Sequence, residues 1–314
     1  MKLHILAAVA LALSLAGCGR EQAEPESASA PAAPAAAVQA DAPTPSVAAP
    51  APQAPSPATT LAGVIAGDWR DPANVARDIW RHPKETLEFF GVSADQRVLE
   101  IAPGRGWYSE ILVPFLRQQG HYVGAISDPV AAPDERVREY FTKQNTDLRA
   151  KLAARPDVYG QPTLREIDAA RPNFGAPDSI DTVLTFRNVH NWLAAGQAEA
   201  MFKGFYGVLK PGGVLGVVEH RAAGDVPDGD KSGYVGQDQV IALARAAGFE
   251  LEASSEINAN PADTKDHEAG VWSLPPSLRL GDKDREKYLA IGESDRMTLR
   301  FRKPAAAPAE QATQ

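Results

Sequence analysis

The side chains of this sequence that are suited to chemistry stand where apolar segments end. Glu100 lies at the end of the apolar segment VLEI, and Gly104 and Gly106 follow it within a short turn. His190 and His220 each come just after a later apolar segment. A carboxylate attracts cations and repels phosphates, and histidine is the side chain best suited to proton transfer near neutral pH. The sequence therefore predicts a site for a positively charged ligand beside one or two candidate general bases.

These residues fall at the junctions of alternating strands and helices. Such alternation predicts an α/β fold with a mostly parallel sheet and helices on both faces. Ligands bind sheets of this kind at the carboxyl ends of the strands, near the point where the strand order reverses. The predicted strands are 97–101, 121–126, 163–167, 182–186, 214–219, 250–257 and 297–302, and the predicted helices are 72–80, 83–91, 107–119, 134–154, 197–209 and 237–247.

The turn after the first strand differs from the dinucleotide-binding fingerprint G-x-G-x-x-G, because it has no third glycine. Trp107 and Tyr108 would crowd a pyrophosphate that approached the following helix. The carboxylate of Glu100 would repel phosphates but suits a cofactor that carries an ammonium and a sulfonium. These features disfavour a nicotinamide-dependent dehydrogenase.

The segment EIAPGRG at 100–106 resembles the E/D-x-G-x-G-x-G loop of class I S-adenosylmethionine-dependent methyltransferases. The segments DTVLTF at 181–186 and LKPGGVL at 209–215 resemble the family's fourth-strand motif and its turn into strand five. The phrases RDIWRHP and FRNVHNW resemble a bacterial branch of predicted methyltransferases. The resemblance covers essentially the whole domain. It implies a doubly wound, mostly parallel seven-stranded sheet with an antiparallel last strand, S-adenosylmethionine as cofactor, and methyl transfer as the activity.

The same resemblance implies a cofactor site. Ala102 stands where the family has its first loop glycine, and its methyl group narrows the approach to the methionine end. We expect Asp128 to hold the ribose hydroxyls, although an aspartate before a proline also caps turns. We expect Asp168 to contact the adenine amine, with a helix cap as the competing interpretation. The residues assigned to the cofactor are Glu100, Ala102, Gly104, Gly106, Trp107, Asp128, Asp168 and Arg187.

The acceptor side of the predicted site follows strands four and five. His190 is the first candidate for a base or substrate ligand, and His220 is the second. Either histidine could instead hold a loop or cap a helix. The polar excursion at 258–295 leaves the carboxyl end of strand six and is expected to lie over the pocket. Its charged residues Asp263, Asp266, His267 and Glu268 match no metal-binding spacing, so we expect a solvated charge run and no metal site.

The N-terminus has the features of an export signal. An apolar run from Ile5 to Ala16 is too short for a comfortable membrane span and fits a signal-peptide core. The following LAGC resembles the lipobox of bacterial lipoproteins, in which Cys18 is lipidated, and Cys18 is the only cysteine in 314 residues. An ordinary signal peptide is the competing interpretation. The mature chain would carry no other thiol, which excludes disulfides and cysteine-ligated metals.

Composition divides the chain into four parts. We expect a signal peptide at 1–17, an Ala/Pro-rich disordered tether at 18–60, a methyltransferase-like domain at 61–303 and a disordered tail at 304–314. The net charge of −8 and the lack of a basic cluster argue against nucleic acid as a partner. We expect a lipid-anchored protein of the bacterial envelope that faces the periplasm, and Gly19 favours the outer membrane.

Two functions fit these observations. The first is a methyltransferase acting on a small molecule or an envelope component. The second is a non-catalytic periplasmic binding module that reuses the fold. It is favoured by the export signal, by Ala102, and by Asp128, which stands two residues beyond Ile126, where the family has its ribose-binding acid.

Overall fold

A computed structural model of the chain describes residues 59–305. The predicted signal peptide, the lipidation site at Cys18, nearly all of the tether and most of the tail lie outside these residues. Among the helices that are described, none has the length and apolar character needed to cross a membrane.

Within residues 59–305 the strands form one seven-stranded sheet, as the sequence predicts. Its order is β3-β2-β1-β4-β5-β7-β6, and only β7 runs antiparallel to its neighbours. The strand order reverses between β1 and β4, so a ligand is expected above that point. The strands are β1 Arg97–Ile101, β2 His121–Ser127, β3 Thr163–Ile167, β4 Ile180–Phe186, β5 Leu209–His220, β6 Glu250–Ser255 and β7 Arg296–Arg302.

The helices cover both faces of the sheet. Two short 3-10 turns, Pro129–Ala131 and Gly270–Ser273, lie in segments that connect a strand to a helix. The α-helices are α1 Leu61–Ile65, α2 Pro72–Val75, α3 Asp78–Arg81, α4 Pro83–Phe89, α5 Ser109–Leu116, α6 Glu135–Ala154, α7 Pro156–Tyr159, α8 Val189–Ala194, α9 Ala198–Val208, α10 Gln237–Ala246 and α11 Arg285–Ile291.

Two hydrophobic clusters hold the layers together. Alternate residues of a strand point to opposite faces, so Val98 and Leu99 enter different clusters. One cluster packs α8, α9 and α10 against the sheet and contains Met201 and Phe202. The other packs α1, α4, α5 and α6 against the opposite face. Because both faces are covered, the strand ends are where polar side chains can meet a ligand.

The helix that the sequence predicts at 72–80 is two helices in the structure. Asp71 caps α2 by accepting a hydrogen bond from the Ala73 amide, as expected for an aspartate before proline. The left-handed residue His82 (φ 40°) ends α3, and Pro83 begins α4. The chain therefore turns sharply beside the loop that follows β1.

Candidate active site

The loop after β1 contains three residues with an unusual backbone conformation. Ala102, Gly104 and Gly106 all have positive φ, at 46°, 59° and 81°. A side chain at Gly104 would meet nothing within 4 Å, whereas one at Gly106 would come within 2.8 Å of the Leu148 side chain. Gly104 therefore leaves open space on the loop, and Gly106 permits close packing against α6. The left-handed conformation also explains why glycine suits the position that Ala102 occupies.

Glu100 is buried at the end of β1, with 2% of its surface exposed. One carboxylate oxygen accepts hydrogen bonds from the Ser109 hydroxyl at 2.9 Å and the Tyr122 hydroxyl at 2.7 Å. Burial raises the pKa of Glu100 to about 7, although the two hydroxyls and the positive charge of Arg187 act in the opposite direction. Both of its hydrogen-bond partners are neutral. The site thus holds a carboxylate without a cation bonded to it.

The aromatic residues of the loop pack on the protein. The Trp107 indole nitrogen donates to the Asn74 carbonyl at 3.0 Å, and the Arg81 guanidinium lies 4.7 Å from the Trp107 ring centroid. The Tyr108 ring stacks on Phe186 at 3.7 Å. Contact between Trp107 and a cofactor stays a prediction.

Asp128 and Asp168 follow β2 and β3 at the same rim of the sheet. One oxygen of Asp128 accepts a hydrogen bond from the Val130 amide, which is the turn-capping role considered above. Asp168 caps its own turn at the Ala170 amide and forms an ion pair with Arg171 at 3.3 Å. Each aspartate is partly buried. Their roles in ribose and adenine binding stay predictions.

His190 is held by Glu219, a carboxylate at the end of β5 with no exposed surface. The His190 Nδ1 atom lies 3.0 Å from Glu219 Oε1. The same carboxylate accepts hydrogen bonds from the amides of Val189 (2.6 Å) and His220 (2.8 Å). An ionised carboxylate only accepts hydrogen bonds, so Nδ1 carries a proton and Nε2 of neutral His190 presents a lone pair.

The His190 ring lines a cavity of about 250 Å³. The cavity lies between α8 and the segment 226–235, and Trp272 of the excursion forms part of its wall. The ring centroids of His190 and Trp272 are 6.0 Å apart. A Glu–His pair with a free nitrogen beside a cavity has the arrangement of a general base.

His220 is placed differently. Its Nδ1 atom lies 2.5 Å from the Ser294 hydroxyl, and its ring centroid is 5.4 Å from that of His190. Burial lowers the pKa of His220 well below its usual value, and the neighbouring His190 ring and the positive charges of Arg187, Arg296 and Arg81 lower it further. His220 is therefore neutral at physiological pH.

The ligand atoms of His190, Glu219 and His220 lie within 4.8 Å of one another, which is a metal-like grouping. The Glu219 oxygens, however, already accept hydrogen bonds from three backbone amides and from the His190 ring. The nearby arginines also disfavour a cation. The donor set fits a hydrogen-bonded pair better than a metal centre.

Arg187, the residue after β4, has a φ of 61° and is partly buried. Its positive charge lowers the pKa of Glu100 on one side and of His220 on the other. The structure thus brings the predicted residues Glu100, Arg187, His190 and His220 to one rim of the sheet. Asp128 and Asp168 lie farther along that rim, after β2 and β3.

The excursion at 258–295 corrects one expectation. Asp266 and Glu268 are exposed, but Asp263 and His267 are only 4% and 8% exposed. Asp263 accepts hydrogen bonds from the Tyr234 hydroxyl and from His267 Nε2, each at 2.8 Å. The predicted solvated charge run is therefore wrong for these two residues, because they fasten the excursion to the segment after β5.

Sequence reasoning missed Glu219, Arg81 and Glu293. Glu219 shares its strand face with Leu215 and Val217, so the alternation of β5 would have placed its side chain on the α8 side. No local pattern singles out Arg81 or Glu293, which are 212 residues apart and form an ion pair at 3.2 Å.

Neither protein-family models nor curated protein sequences match this chain. Solved structures share its fold. One is a SAM dependent methyltransferase from Aquifex aeolicus, with a TM-score of 0.50 and 12% identity, covering 78% of this chain and 98% of that chain. Another is the [4+2]-cyclase SpnF, with a TM-score of 0.51 and 19% identity, covering 78% and 93%. At these identities the likeness establishes a Rossmann-like methyltransferase fold, and the two names describe different reactions.

Proposed function

We propose that this chain is an S-adenosylmethionine-dependent methyltransferase that acts on a small molecule or an envelope component. The observation that carries the proposal is that two groups of residues lie at the same rim of the sheet. A glycine-containing loop with the buried carboxylate of Glu100 forms the first group. The His190–Glu219 pair beside a cavity forms the second.

The residues around the loop fit the cofactor. The Glu100 carboxylate has only neutral hydrogen-bond partners, and its raised pKa shows that a cationic partner would stabilise its charged form. The cofactor's ammonium supplies such a charge. Gly104 provides open space on the loop for the methionine end. When bound, the cofactor supplies an electrophilic methyl group on a sulfonium.

His190 Nε2 takes the proton from the acceptor. Glu219 fixes the ring through Nδ1 and stabilises the imidazolium that results from this transfer. His220 remains neutral and donates or accepts a hydrogen bond at the acceptor. This chemistry favours an acceptor with a hydroxyl or another group that must lose a proton, and the cavity of about 250 Å³ favours a small acceptor group.

The test measures binding and transfer separately. Calorimetric titration of the full chain with S-adenosylmethionine is expected to show saturable binding. Transfer of a labelled methyl group to envelope extracts should fall by about 10²- to 10⁴-fold in His190→Ala, because the general base is removed. Binding of S-adenosylhomocysteine should not change in that variant.

His121→Ala is the matched control, because His121 lies at the amino end of β2, where its side chain forms a hydrogen bond with Thr163. Its transfer rate should equal that of the wild type. No binding of S-adenosylmethionine to the folded wild-type chain would refute the proposal. Equal losses in both histidine variants would refute the role of His190.

The second candidate is a non-catalytic binding module. Two observations favour it: Ala102 adopts the left-handed conformation at a glycine position, and Asp128 uses one oxygen to cap its own turn. Under this function a ligand binds with the same affinity in wild type and His190→Ala, and labelled methyl reaches no acceptor in either.

We also propose that the chain is lipidated at Cys18 and held at the bacterial envelope, facing the periplasm. The support is the LAGC sequence and the presence of a single cysteine. Palmitate labelling should disappear in Cys18→Ser. Labelling that persists in this variant would contradict the anchor.

A further inference from the structure

An arginine cluster lies behind the loop and is not balanced by acidic partners. Four guanidinium groups, those of Arg77, Arg81, Arg187 and Arg296, act on the one carboxylate of Glu293. Three of them contact it, through Arg77 Nε at 2.6 Å, Arg81 Nε at 3.2 Å and Arg296 Nη1 at 3.0 Å. The nearby Glu100 does not complete the balance, because its raised pKa keeps it partly protonated near pH 7.

The arginines differ in how well their donors are satisfied. Arg296 also donates to the carbonyls of Ser294 and Trp80, so each of its nitrogens has a partner. Arg81 is only 3% exposed, yet among the described residues only its Nε donates a hydrogen bond. Arg77 Nη2 is buried without a partner, and the Arg187 side chain makes no hydrogen bond or ion pair within residues 59–305.

Aromatic contacts place Arg81 and Arg187 at the same point of the rim. The Arg81 guanidinium stacks on Trp107, and the Tyr108 hydroxyl donates to the Arg81 carbonyl at 3.4 Å. Tyr108 in turn stacks on Phe186, the residue before Arg187. A guanidinium that lies over an aromatic ring can still donate hydrogen bonds through its N–H groups, which lie in its own plane. Buried cations with free donors are costly unless an anion pairs with them.

We propose that Arg81 and Arg187 form a binding site for a carboxylate or phosphate group of a ligand. The planar N–H fork of a guanidinium matches both anions. The site lies between the loop that carries Glu100 and the His190–Glu219 pair. An anion there is thus either the carboxylate of the cofactor or an acidic group of the second ligand. The first source rests on the proposed function, whereas the second holds even if no methyl transfer occurs.

Arg187 is the residue to change, because its side chain has no hydrogen bond or ion pair to lose among residues 59–305. Thermal unfolding of the full chain is measured with malonate, inorganic phosphate, S-adenosylhomocysteine and 5′-methylthioadenosine, at constant ionic strength. Removing Arg187 should weaken binding of its anion by about tenfold or more, since a hydrogen bond to a charged group is lost. The melting temperature of ligand-free Arg187→Gln should rise, because a positive charge beside those of Arg81 and Arg296 is removed. Arg187→Lys should bind with intermediate affinity.

Arg245→Gln is the matched control, because it removes the same charge from an exposed position on α10. If malonate or phosphate binds more weakly to Arg187→Gln but not to Arg245→Gln, the anion belongs to the second ligand. Methylthioadenosine lacks the amino-acid end of the cofactor. If Arg187→Gln binds S-adenosylhomocysteine more weakly but methylthioadenosine as the wild type does, the anion is the carboxylate of the cofactor. The proposal is overturned if none of the anionic ligands binds the wild type, or if Arg187→Gln binds all of them as the wild type does. A failure of methyl transfer alone leaves the malonate and phosphate results standing.

Discussion

Two buried glutamates stand at the same rim with opposite acid–base behaviour. Glu100 and Glu293 are 2% and 4% exposed. The partners of Glu100 are the hydroxyls of Ser109 and Tyr122, and its pKa is raised to about 7. The partners of Glu293 are three guanidinium groups, and its pKa is lowered to about 2. Burial raises the pKa of both, so the charge of the neighbours decides the direction.

The difference separates a structural carboxylate from one suited to a ligand. Glu293 is ionised and joins α3 to β7, and its removal would leave cations buried. The two hydroxyls and the charge of Arg187 stabilise the charged form of Glu100 less than burial destabilises it, and a further cation would stabilise it more. The low pKa of Glu293 thus reflects its guanidinium partners, and the raised pKa of Glu100 reflects burial beside neutral hydroxyls.

The largest effect is expected at the structural carboxylate. Glu293→Gln should lower the free energy of unfolding by about 3–5 kcal/mol at pH 7, because three guanidinium groups lose their buried partner. Chemical denaturation checks this. The wild-type advantage should shrink as the pH falls from about 4.5 toward 2, where Glu293 takes up a proton in the native state.

Glu256→Gln serves as the control, because Glu256 pairs with Arg221 while its side chain is 69% exposed. Its cost should stay below about 1 kcal/mol. Equal costs for the two variants would remove the distinction between the buried cluster and a surface ion pair.

The second-largest effect is expected in the pH dependence of the free energy of unfolding, to which Glu100 contributes. Native Glu100 keeps its proton up to about pH 7, whereas the unfolded chain releases it near pH 4.5. The native state thus binds more protons between these values, and wild-type stability should fall as pH rises, by up to about 3 kcal/mol. Glu100→Gln should lack this decline.

The measurement is the difference in unfolding free energy between Glu100→Gln and wild type at pH 5 and pH 8. The variant should gain on the wild type as pH rises. Parallel curves would show that Glu100 is ionised throughout, as Glu293 is, and the contrast between the two carboxylates would disappear.

The smallest effect concerns the backbone of the loop beside Glu100. Ala102 has a φ of 46°, which costs an alanine about 1 kcal/mol relative to glycine. Ala102→Gly should therefore raise the free energy of unfolding by up to about 1 kcal/mol. Ala195→Gly, at a position with a φ of −95°, should lower it slightly. Lower stability in both variants would show that Ala102 is not strained.

The order of the elements was predictable from the sequence. β1 and β3 have the predicted bounds. Helix ends were less predictable: α5 begins at Ser109 rather than Trp107, because Trp107 and Tyr108 pack against the N-terminal helices as part of the preceding turn. Such contacts join residues tens of positions apart and leave no periodic signal.

The sequence by itself determined the strand–helix alternation, the glycine-containing loop and the presence of Glu100, His190 and His220 at strand ends, because these depend on local spacing and residue type. Tertiary structure decided their chemistry. In the folded chain His190 forms a hydrogen bond with the Glu219 carboxylate, and Glu100 accepts hydrogen bonds from two hydroxyls. Arg81 and Arg187 lie close to each other near the single carboxylate of Glu293. The physical reason is that a pKa depends on burial and on neighbouring charges, and folding brings both from distant parts of the chain.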